Sequence, residues 1–313
     1  MKINKVLVVR LSSIGDIVLT SPVVRWLKNQ HLAEVHFLTK SNFENLLKHN
    51  VYIDQIHLLD GSNENELLNK LRSENFDLVI DLHKSLKTRR LCWQLGNKII
   101  TFDKLNIQKW MLVNFKKDFL PDKHLVDRYL EALQPIGIQD DGMGLDFFID
   151  SQSLLPAEIP DFYEVLVLGA AHATKRIPKE LALRIINSTG KKVVLIGGKD
   201  VVEEAQYLEQ NATNVINLTG KCDLSTSALI LQKSDYIYTG DTGMMHIGAA
   251  LKKPMTVFWG NTTPKFGMYP YYGFLNLIPF INKEVNLSCR PCSKLGYKAC
   301  PKGHFNCMML QDV

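Results

Sequence analysis

Residues 6–17 read VLVVRLSSIGDI, and an amphipathic pattern follows them as far as Gln30. A short apolar run, a turn with one glycine and a helical pattern predict a strand and a helix of a parallel α/β sheet. The start of such a helix commonly binds a phosphate, but here Asp16 occupies the first turn, where a carboxylate is stabilised by the helix dipole and repels an anion. Asp16 is therefore predicted either to cap the helix or to act as an acid or base. The stretch is neither a dinucleotide fingerprint nor a P-loop, because Gly15 stands alone.

The same alternation of apolar runs and helical patterns continues along the chain. Short β-branched runs separated by amphipathic segments indicate βαβ units and parallel sheets, so the expected fold class is α/β. The predicted strands are 6–9, 35–38, 56–59, 78–82 and 98–102 in the first half and 165–168, 193–196, 215–218, 236–238 and 255–258 in the second.

A linker is predicted at residues 150–161, which contain two serines and two prolines and show no periodicity. It divides the chain into an N-terminal domain at 1–155 and a C-terminal domain at 156–313. Ligands of open α/β sheets bind at the carboxyl ends of the strands, so we expect two doubly wound domains that face each other across a cleft.

The composition favours an ordinary soluble protein. The chain has 313 residues, of which 46% are hydrophobic, and no apolar run approaches the roughly 20 residues of a membrane span. No signal-peptide pattern opens the chain, so a cytoplasmic location is expected. Residues 84–123 carry ten Lys or Arg and three acids, a balance of +7 within a net charge of +5. This basic window predicts an anionic partner, although a solvated basic face would give the same pattern.

The strongest binding motif is YTGDTGMMHIGAAL at residues 238–251, which predicts a strand end, a turn and a helix. The helix would begin near Thr242 and Gly243 and bind a phosphate there, and His246 would point to the same ligand. An N-cap threonine and a core histidine would give the same residues. After the first strand of the second half, Lys175 could neutralise a pyrophosphate.

The placement of Asp16 suggests a reaction. If it faces the cleft opposite Thr242 and His246, an acid and a phosphate site meet there. This suits transfer of a group from a phosphate leaving group to a hydroxyl, with the carboxylate as general base. The chain contains no Asp-x-Asp sequence, so a divalent metal on the pyrophosphate is not indicated.

Four stretches together resemble a known family. They are RLSSIGDIVLT at 10–20, DLHKSLKTR at 81–89, GDTGMMHIGAA at 240–250 with Pro254, and the cysteine-rich tail. In this order they resemble the ADP-heptose:lipopolysaccharide heptosyltransferases, glycosyltransferase family 9, and the tail is closer to the heptosyltransferase II branch. The resemblance implies a GT-B fold of two Rossmann-like domains, with the acceptor on the N-terminal domain and ADP-heptose on the C-terminal domain. It also implies an inverting transfer that needs no cofactor and no divalent metal.

The resemblance also implies roles for individual residues. The catalytic base would be Asp16, and the donor would be bound by Ser13, Lys175, Asp241, Thr242, Gly243, Met244 and His246. Acceptors of this family carry Kdo carboxylates and lipid A phosphates, so the expected acceptor-binding residues are Lys84, Lys87, Arg89 and Arg90. The expected partners are the nucleotide-sugar donor, a lipopolysaccharide or lipid A-Kdo acceptor and, transiently, the cytoplasmic face of the inner membrane. No nucleic-acid partner is expected.

Residues 106–117, NIQKWMLVNFKK, mix aromatic, apolar and basic side chains as a membrane-surface helix would. Trp110, Leu112 and Phe115 also suit a protein core, and we favour the core interpretation.

The tail allows three interpretations. Cys289, Cys292, Cys300 and Cys307, with His304 between the last two, could form a structural zinc site, although their separations fit no common zinc finger. Reduced, packed thiols are the preferred alternative, and a redox role is the third.

Other functions remain compatible with the motifs. A glycosyltransferase that uses another nucleotide sugar would keep every motif named above. A sugar-nucleotide epimerase shares the GT-B architecture but would not need the basic window. A non-catalytic module for a nucleotide sugar or a lipid would bind ADP and would not depend on Asp16.

Overall fold

A computed structural model describes residues 3–275 and 277–313, in which parallel strands and helices alternate. In the first part of the chain, the elements are β1 (Lys5–Val9), α1 (Ile14–Val18), α2 (Ser21–His31), β2 (Glu34–Lys40), β3 (Gln55–Leu59), α3 (Glu64–Ser73), β4 (Leu78–Asp81), α4 (Leu86–Leu95), β5 (Ile99–Thr101), α5 (Asn106–Phe115) and α6 (Leu125–Leu133). The elements that follow are β6 (Tyr163–Val167), α7 (Lys179–Ser188), β7 (Lys192–Ile196), α8 (Val202–Asn211), β8 (Val215–Asn217), α9 (Leu224–Lys233), β9 (Tyr236–Gly240), α10 (Gly243–Ala250), β10 (Met255–Trp259), β11 (Phe280–Glu284) and α11 (Asn306–Met309).

The strands form two parallel sheets. The first has the order β3-β2-β1-β4-β5 and the second the order β11-β10-β9-β6-β7-β8. Every predicted strand is present, with ends shifted by at most two residues, so the predicted α/β fold class is confirmed. β11 was not predicted, because FINKE is a short, mostly exposed edge strand with no continuous apolar run.

The chain divides into two compact units that are not continuous in sequence. One comprises the residues up to Lys104, Lys123–Phe148 and Gly273–Leu275. The other comprises Leu105–Asp122, Ile149–Tyr272 and the residues from 277 to Val313. Helix α5 therefore belongs to the same unit as the second sheet and the cysteine-rich tail, whereas the predicted division at 155/156 separates them.

Each sheet is buried by the helices on its faces. Leu7, Val9, Leu38 and Val79 of the first sheet pack with residues of α3 and α4. In the second unit, Leu166, Val193 and Leu195 pack with α7 and α8. Strands covered on both faces are continuous apolar runs, and this is the pattern that made them recognisable in the sequence.

The sheet orders determine which loops are neighbours. β1 pairs with β4 so that Val9 lies opposite Asp81, and the loops after these strands therefore start side by side. In the second sheet β9 lies between β6 and β10, which brings three loops together. Both places are switch points of strand order, where open α/β sheets bind ligands. Within residues 3–275 and 277–313, no helix is both long enough and apolar enough to cross a membrane.

Candidate functional site

Asp16 lies in the first turn of α1, directly after the carboxyl end of β1. Ser13 caps the helix, and its backbone N–H and its hydroxyl donate to Asp16 Oδ2 at 3.2 and 2.8 Å. The predicted capping role is therefore confirmed. Capping involves only Oδ2 of Asp16, so Oδ1 can contact another group.

The other oxygen of Asp16 faces a guanidinium. Arg10 Nη2 lies 2.5 Å from Asp16 Oδ1, and the Arg10 and Asp16 side chains are 8% and 22% exposed. Arg10 also donates to the carbonyl oxygens of Ser12, at 2.8 Å, and of Leu82. Burial lowers the pKa of Arg10, but Asp16, Tyr129 and Asp81 together outweigh burial, so the pKa of Arg10 is raised. The ion pair with Arg10 holds Asp16 Oδ1 in a fixed position. The sequence analysis assigned no role to Arg10, although this residue opens the RLSSIGDIVLT stretch and follows a buried strand.

The loop after β4 carries the first of the predicted acceptor-binding residues. Asp81 is fully buried and accepts from the backbone N–H groups of His83 and Lys84 at 3.0 and 2.7 Å. The Lys84 ammonium donates to the Phe102 carbonyl at 2.7 Å, so this side chain is directed to the protein rather than to solvent. Burial, with Arg10 nearby, lowers the pKa of His83 to about 4.

The other predicted acceptor-binding residues lie on α4. Lys87 forms an ion pair with Glu64 at 2.8 Å, whereas Arg89 and Arg90 are exposed. Arg89 and Arg90 are thus exposed on the surface of α4, whereas Lys84 and Lys87 contact other groups of the protein.

In the second unit, the loop after β6 passes over two glycines at the ends of β9 and β10. A Cβ on Gly240 would lie 2.3 Å from the Lys175 carbonyl oxygen, and one on Gly260 would lie 2.4 Å from the Thr174 carbonyl oxygen. These glycines let the short 3-10 helix Ala173–Lys175 approach the sheet edge.

The close approach delivers the Lys175 side chain to Asp241. Lys175 Nζ lies 2.7 Å from Asp241 Oδ2, and the Thr262 hydroxyl donates to the same oxygen at 2.7 Å. Residues from all three neighbouring loops therefore meet at one carboxylate. A cation and hydroxyls beside a helix start are groups that bind a phosphate.

Thr242 is the N-cap of α10, and its hydroxyl accepts from the Met245 N–H at 3.3 Å. Gly243 and Met244 follow in the first turn and are partly exposed, whereas His246 is buried at 2% exposure. A Cβ on Gly248 would lie 2.8 Å from Ile237 Cδ1, so the lack of a side chain at Gly248 lets α10 pack tightly on the sheet.

Helix α5 corrects one prediction. Of the three residues assigned to a core, Leu112 is buried, but Trp110 and Phe115 are 53% and 56% exposed. The two rings contact each other edge to face, with centroids 5.2 Å apart. The core interpretation is wrong for both, because periodicity shows that a helix is amphipathic but not which apolar residues find a partner.

The tail cysteines lie near one another without forming a preorganised metal centre. Cys289, Cys292 and Cys300 are half-buried and Cys307 is buried. Burial raises the pKa of Cys307 to about 11, and burial with the neighbouring Cys289 thiol raises that of Cys292. Among the residues that the structure describes, ligand atoms at metal-site spacing occur in His36, His57 and Glu74, and the cysteines do not belong to such a group.

The histidine pair is buried in the first sheet and was not predicted. His36 Nδ1 and His57 Nε2 lie 2.9 Å apart, and His36 Nε2 lies 2.8 Å from Glu34 Oε1. Burial, with His36 beside it, lowers the pKa of His57 to about 4. The pair is a hydrogen-bonded chain that ends at a surface carboxylate.

Comparison with known proteins gives consistent results. The sequence model of glycosyltransferase family 9 (heptosyltransferase) matches residues 65–292. Lipopolysaccharide heptosyltransferase 1 of Campylobacter coli is 23% identical over 82% of this chain and 84% of its own length. Relatives named heptosyltransferase 1, 2 and 3 all match, so the branch is not resolved.

Solved structures show the same fold. A glycosyltransferase family 9 structure from Veillonella parvula superposes with a TM-score of 0.72 at 22% identity, covering 90% of this chain and 87% of that one. The E. coli heptosyltransferase WaaC with ADP-2-deoxy-2-fluoro heptose gives 0.68 at 19% identity, covering 93% and 96%. At these identities the likeness is one of fold, and it confirms the GT-B class.

Proposed function

The chain belongs to glycosyltransferase family 9, and from this premise we propose that it transfers heptose from ADP-heptose to an inner-core lipopolysaccharide acceptor. The observation that carries the proposal is the convergence of Lys175, Asp241 and the start of α10 at the switch point of the second sheet. The family relatives named above act on lipopolysaccharide, and one of their structures holds an ADP-heptose analogue.

The donor is held by its pyrophosphate. The free N–H groups at the first turn of α10, around Gly243 and Met244, and the Thr242 hydroxyl bind phosphate oxygens. The Lys175 ammonium adds a positive charge, and Asp241 keeps that ammonium at the sheet edge until the donor arrives. By family resemblance His246 and Ser13 complete the donor-binding set.

Asp16 acts as the general base. It takes the proton of the acceptor hydroxyl as that oxygen attacks C1 of the heptose. The C1–O bond to ADP breaks on the opposite face, so the configuration inverts and ADP leaves with the bonding electrons. Lys175 and the α10 N-terminus stabilise the leaving diphosphate, and the reaction requires no divalent metal in this mechanism. Arg10 keeps the Asp16 carboxylate oriented between turnovers.

The acceptor is anionic and is bound by the basic side of the first unit. Arg89 and Arg90 on α4 are exposed and suited to carboxylates and phosphates, with Lys84 and Lys87 nearby in sequence. We place the enzyme at the cytoplasmic face of the inner membrane, where such an acceptor is presented.

Nucleotide binding by calorimetry tests the donor assignment. We expect ADP to bind in EDTA, with the same affinity after Mg²⁺ is added, and UDP and GDP to bind at least tenfold more weakly. A preference for UDP or GDP would replace the donor, and dependence on Mg²⁺ would contradict the metal-independent mechanism.

Asp16→Asn tests the base. We expect unchanged ADP affinity and a loss of transfer of about 10² to 10⁴-fold. Asp127→Asn is the matched control, because Asp127 holds the same capping-box position in α6, where it accepts from the His124 N–H at 3.1 Å. Equal losses in both variants would show that helix capping, not proton transfer, explains the effect.

A further inference from the structure

Two histidines and a glutamate lie together in the unit that contains the first sheet. Leu38 of β2 pairs in register with His57 of β3, and His36 lies two residues before Leu38 on the same face of β2. Glu74 follows the last turn of α3 and reaches the same place. One ring nitrogen of each histidine and one carboxylate oxygen of Glu74 lie within 4.8 Å of one another. The three residues are distant in sequence, so the fold brings them together.

We propose that His36, His57 and Glu74 bind one divalent transition-metal ion, which joins β2 and β3 to the end of α3. Imidazole nitrogens and a carboxylate oxygen are ligands that Zn²⁺ and similar ions prefer, and three protein ligands leave a position for a water molecule. His36 lies near the amino end of β2, whereas Asp16 follows the carboxyl end of the parallel strand β1. The metal site is therefore separate from the proposed transfer reaction and goes beyond it.

The hydrogen bonds of the two rings assign their protons. His36 Nε2 lies 2.8 Å from Glu34 Oε1, and an ionised carboxylate only accepts, so Nε2 carries a proton. In a neutral His36 ring the lone pair is then on Nδ1, which accepts from His57 Nε2 at 2.9 Å. A metal ion binds these two facing nitrogens once the proton between them has moved to His57 Nδ1. That nitrogen is buried and has no hydrogen-bond partner among the described residues, so the change breaks no bond there.

The three ligand atoms are close to the spacing that an ion requires. Zn²⁺ lies about 2.0–2.2 Å from nitrogen and oxygen ligands, so tetrahedral ligands are about 3.4 Å apart. The facing nitrogens of His36 and His57 must move about 0.5 Å further apart, and the rings must tilt until both lone pairs meet at the ion. The 4.8 Å limit on the other pairs requires an approach of at most about 1.4 Å. Glu34 would remain bonded to the His36 Nε2–H, as the outer carboxylate that orients a metal-bound histidine.

A cation already lies at the outer edge of the cluster. Lys5 Nζ is 3.0 Å from Glu74 Oε2 and 3.2 Å from Glu34 Oε1, so both carboxylates are arranged around one positive charge. The Lys5 side chain is 26% exposed and can turn toward solvent, which opens a path to the buried rings. An incoming ion must compete with this ammonium for Glu74. Removal of the Lys5 charge should therefore strengthen metal binding.

Calorimetry of the full chain with Zn²⁺ tests the site. We expect one ion to bind per chain, EDTA to remove it, and Mg²⁺ not to replace it, because Mg²⁺ prefers oxygen ligands. His57→Gln should abolish this binding, and Glu34→Gln should weaken it about 10- to 100-fold because the outer carboxylate is lost. Lys5→Gln should tighten it about tenfold or more, since the competing charge is removed.

The matched controls are His31→Gln and Glu66→Gln. His31 ends α2 and also has a buried ring nitrogen without a hydrogen-bond partner in the described part of the chain, and Glu66 is exposed on α3. Both controls are expected to bind Zn²⁺ like the wild type.

Three results would overturn the inference. They are no Zn²⁺ binding by the wild type, binding that both His57→Gln and Lys5→Gln leave unchanged, and binding that is lost instead in Cys289→Ser, which would assign the ion to the tail. Glu34→Gln and Lys5→Gln alter partly exposed side chains, so they keep the test decisive if His57→Gln does not fold. The ADP affinity should be the same in every variant that folds, so the donor assignment is tested separately.

Discussion

Substitution of Gly240 by alanine tests how the proposed donor site is built. A Cβ at this position would lie 2.3 Å from the Lys175 carbonyl oxygen, which is 0.7 Å inside the 3.0 Å limit that Cβ contacts essentially never cross. The Phe258 carbonyl oxygen lies 3.7 Å from the same position, and both neighbours are backbone atoms, which cannot rotate aside as a side chain can. The 3-10 helix must therefore move by at least about 0.7 Å, and Lys175 moves with it.

We expect Gly240→Ala to reduce both the stability of the protein and its affinity for ADP. Overpacking of this kind destabilises a protein by about 1–3 kcal/mol, which for a unit of this size lowers Tm by roughly 2–12 °C. Displacement of the Lys175 ammonium would also weaken the charge-assisted contact that we propose between it and the diphosphate. Such contacts contribute about 1.5–3 kcal/mol, so the Kd for ADP should rise roughly 10- to 100-fold.

Thermal unfolding and ADP calorimetry of Gly240→Ala measure both parts. Gly190→Ala is the control, because a Cβ there meets nothing within 4 Å, and it should be neutral or slightly stabilising. A variant with the wild-type Tm and ADP affinity would refute the argument that the close approach builds the site. A lower Tm with unchanged ADP affinity would show that Lys175 does not hold the diphosphate.

Further perturbations test other parts of the chain. Thr242→Ala should cost about 1 kcal/mol of stability and weaken ADP binding, whereas Asp223→Ala, which removes the N-cap of α9, should cost about as much stability and leave ADP binding unchanged. Arg10→Gln should lower kcat with little change in the Kd for ADP, and a change confined to ADP binding would contradict its assignment to Asp16. The depressed pKa of His57 means that the folded state resists protonation, so stability should fall by up to about 3 kcal/mol between pH 6.5 and 4. His57→Gln keeps a hydrogen-bond donor and should flatten this loss in urea titrations at a series of pH values; an unchanged slope would mean that other groups cause it.

Local patterns predicted the fold well because both sheets are parallel and buried. Each strand core, such as 6–9 or 193–196, is a continuous apolar run, and the helices between the strands carry the complementary periodicity. The position of Asp16 in the first turn of α1 also followed from local sequence, since helix starts depend on a few adjacent residues. β11 escaped prediction because a short edge strand needs no apolar run.

Contacts between distant residues could not be predicted in the same way. The ion pair of Lys175 with Asp241 joins residues 66 positions apart, and it depends on the glycines that let two loops approach. The exposure of Trp110 depends on which surface covers α5, and a helical pattern does not contain that information. Arg10 is a similar case, since its partners are defined by the path of the backbone around it.

The discontinuity of the second unit has a consequence for protein engineering. Lys116 donates to the carbonyls of Cys289 and Pro291 at 3.2 and 2.8 Å, and Lys265 forms an ion pair with Asp118 at 2.7 Å. The segment 105–122 is therefore bound to the rest of the second unit at several points. A chimera of two family members joined in the linker would therefore pair a tail from one parent with an α5 from the other. Such a hybrid would have mismatched contacts between α5 and the tail, so an exchange of the second unit must carry residues 105–122 along with the C-terminal half.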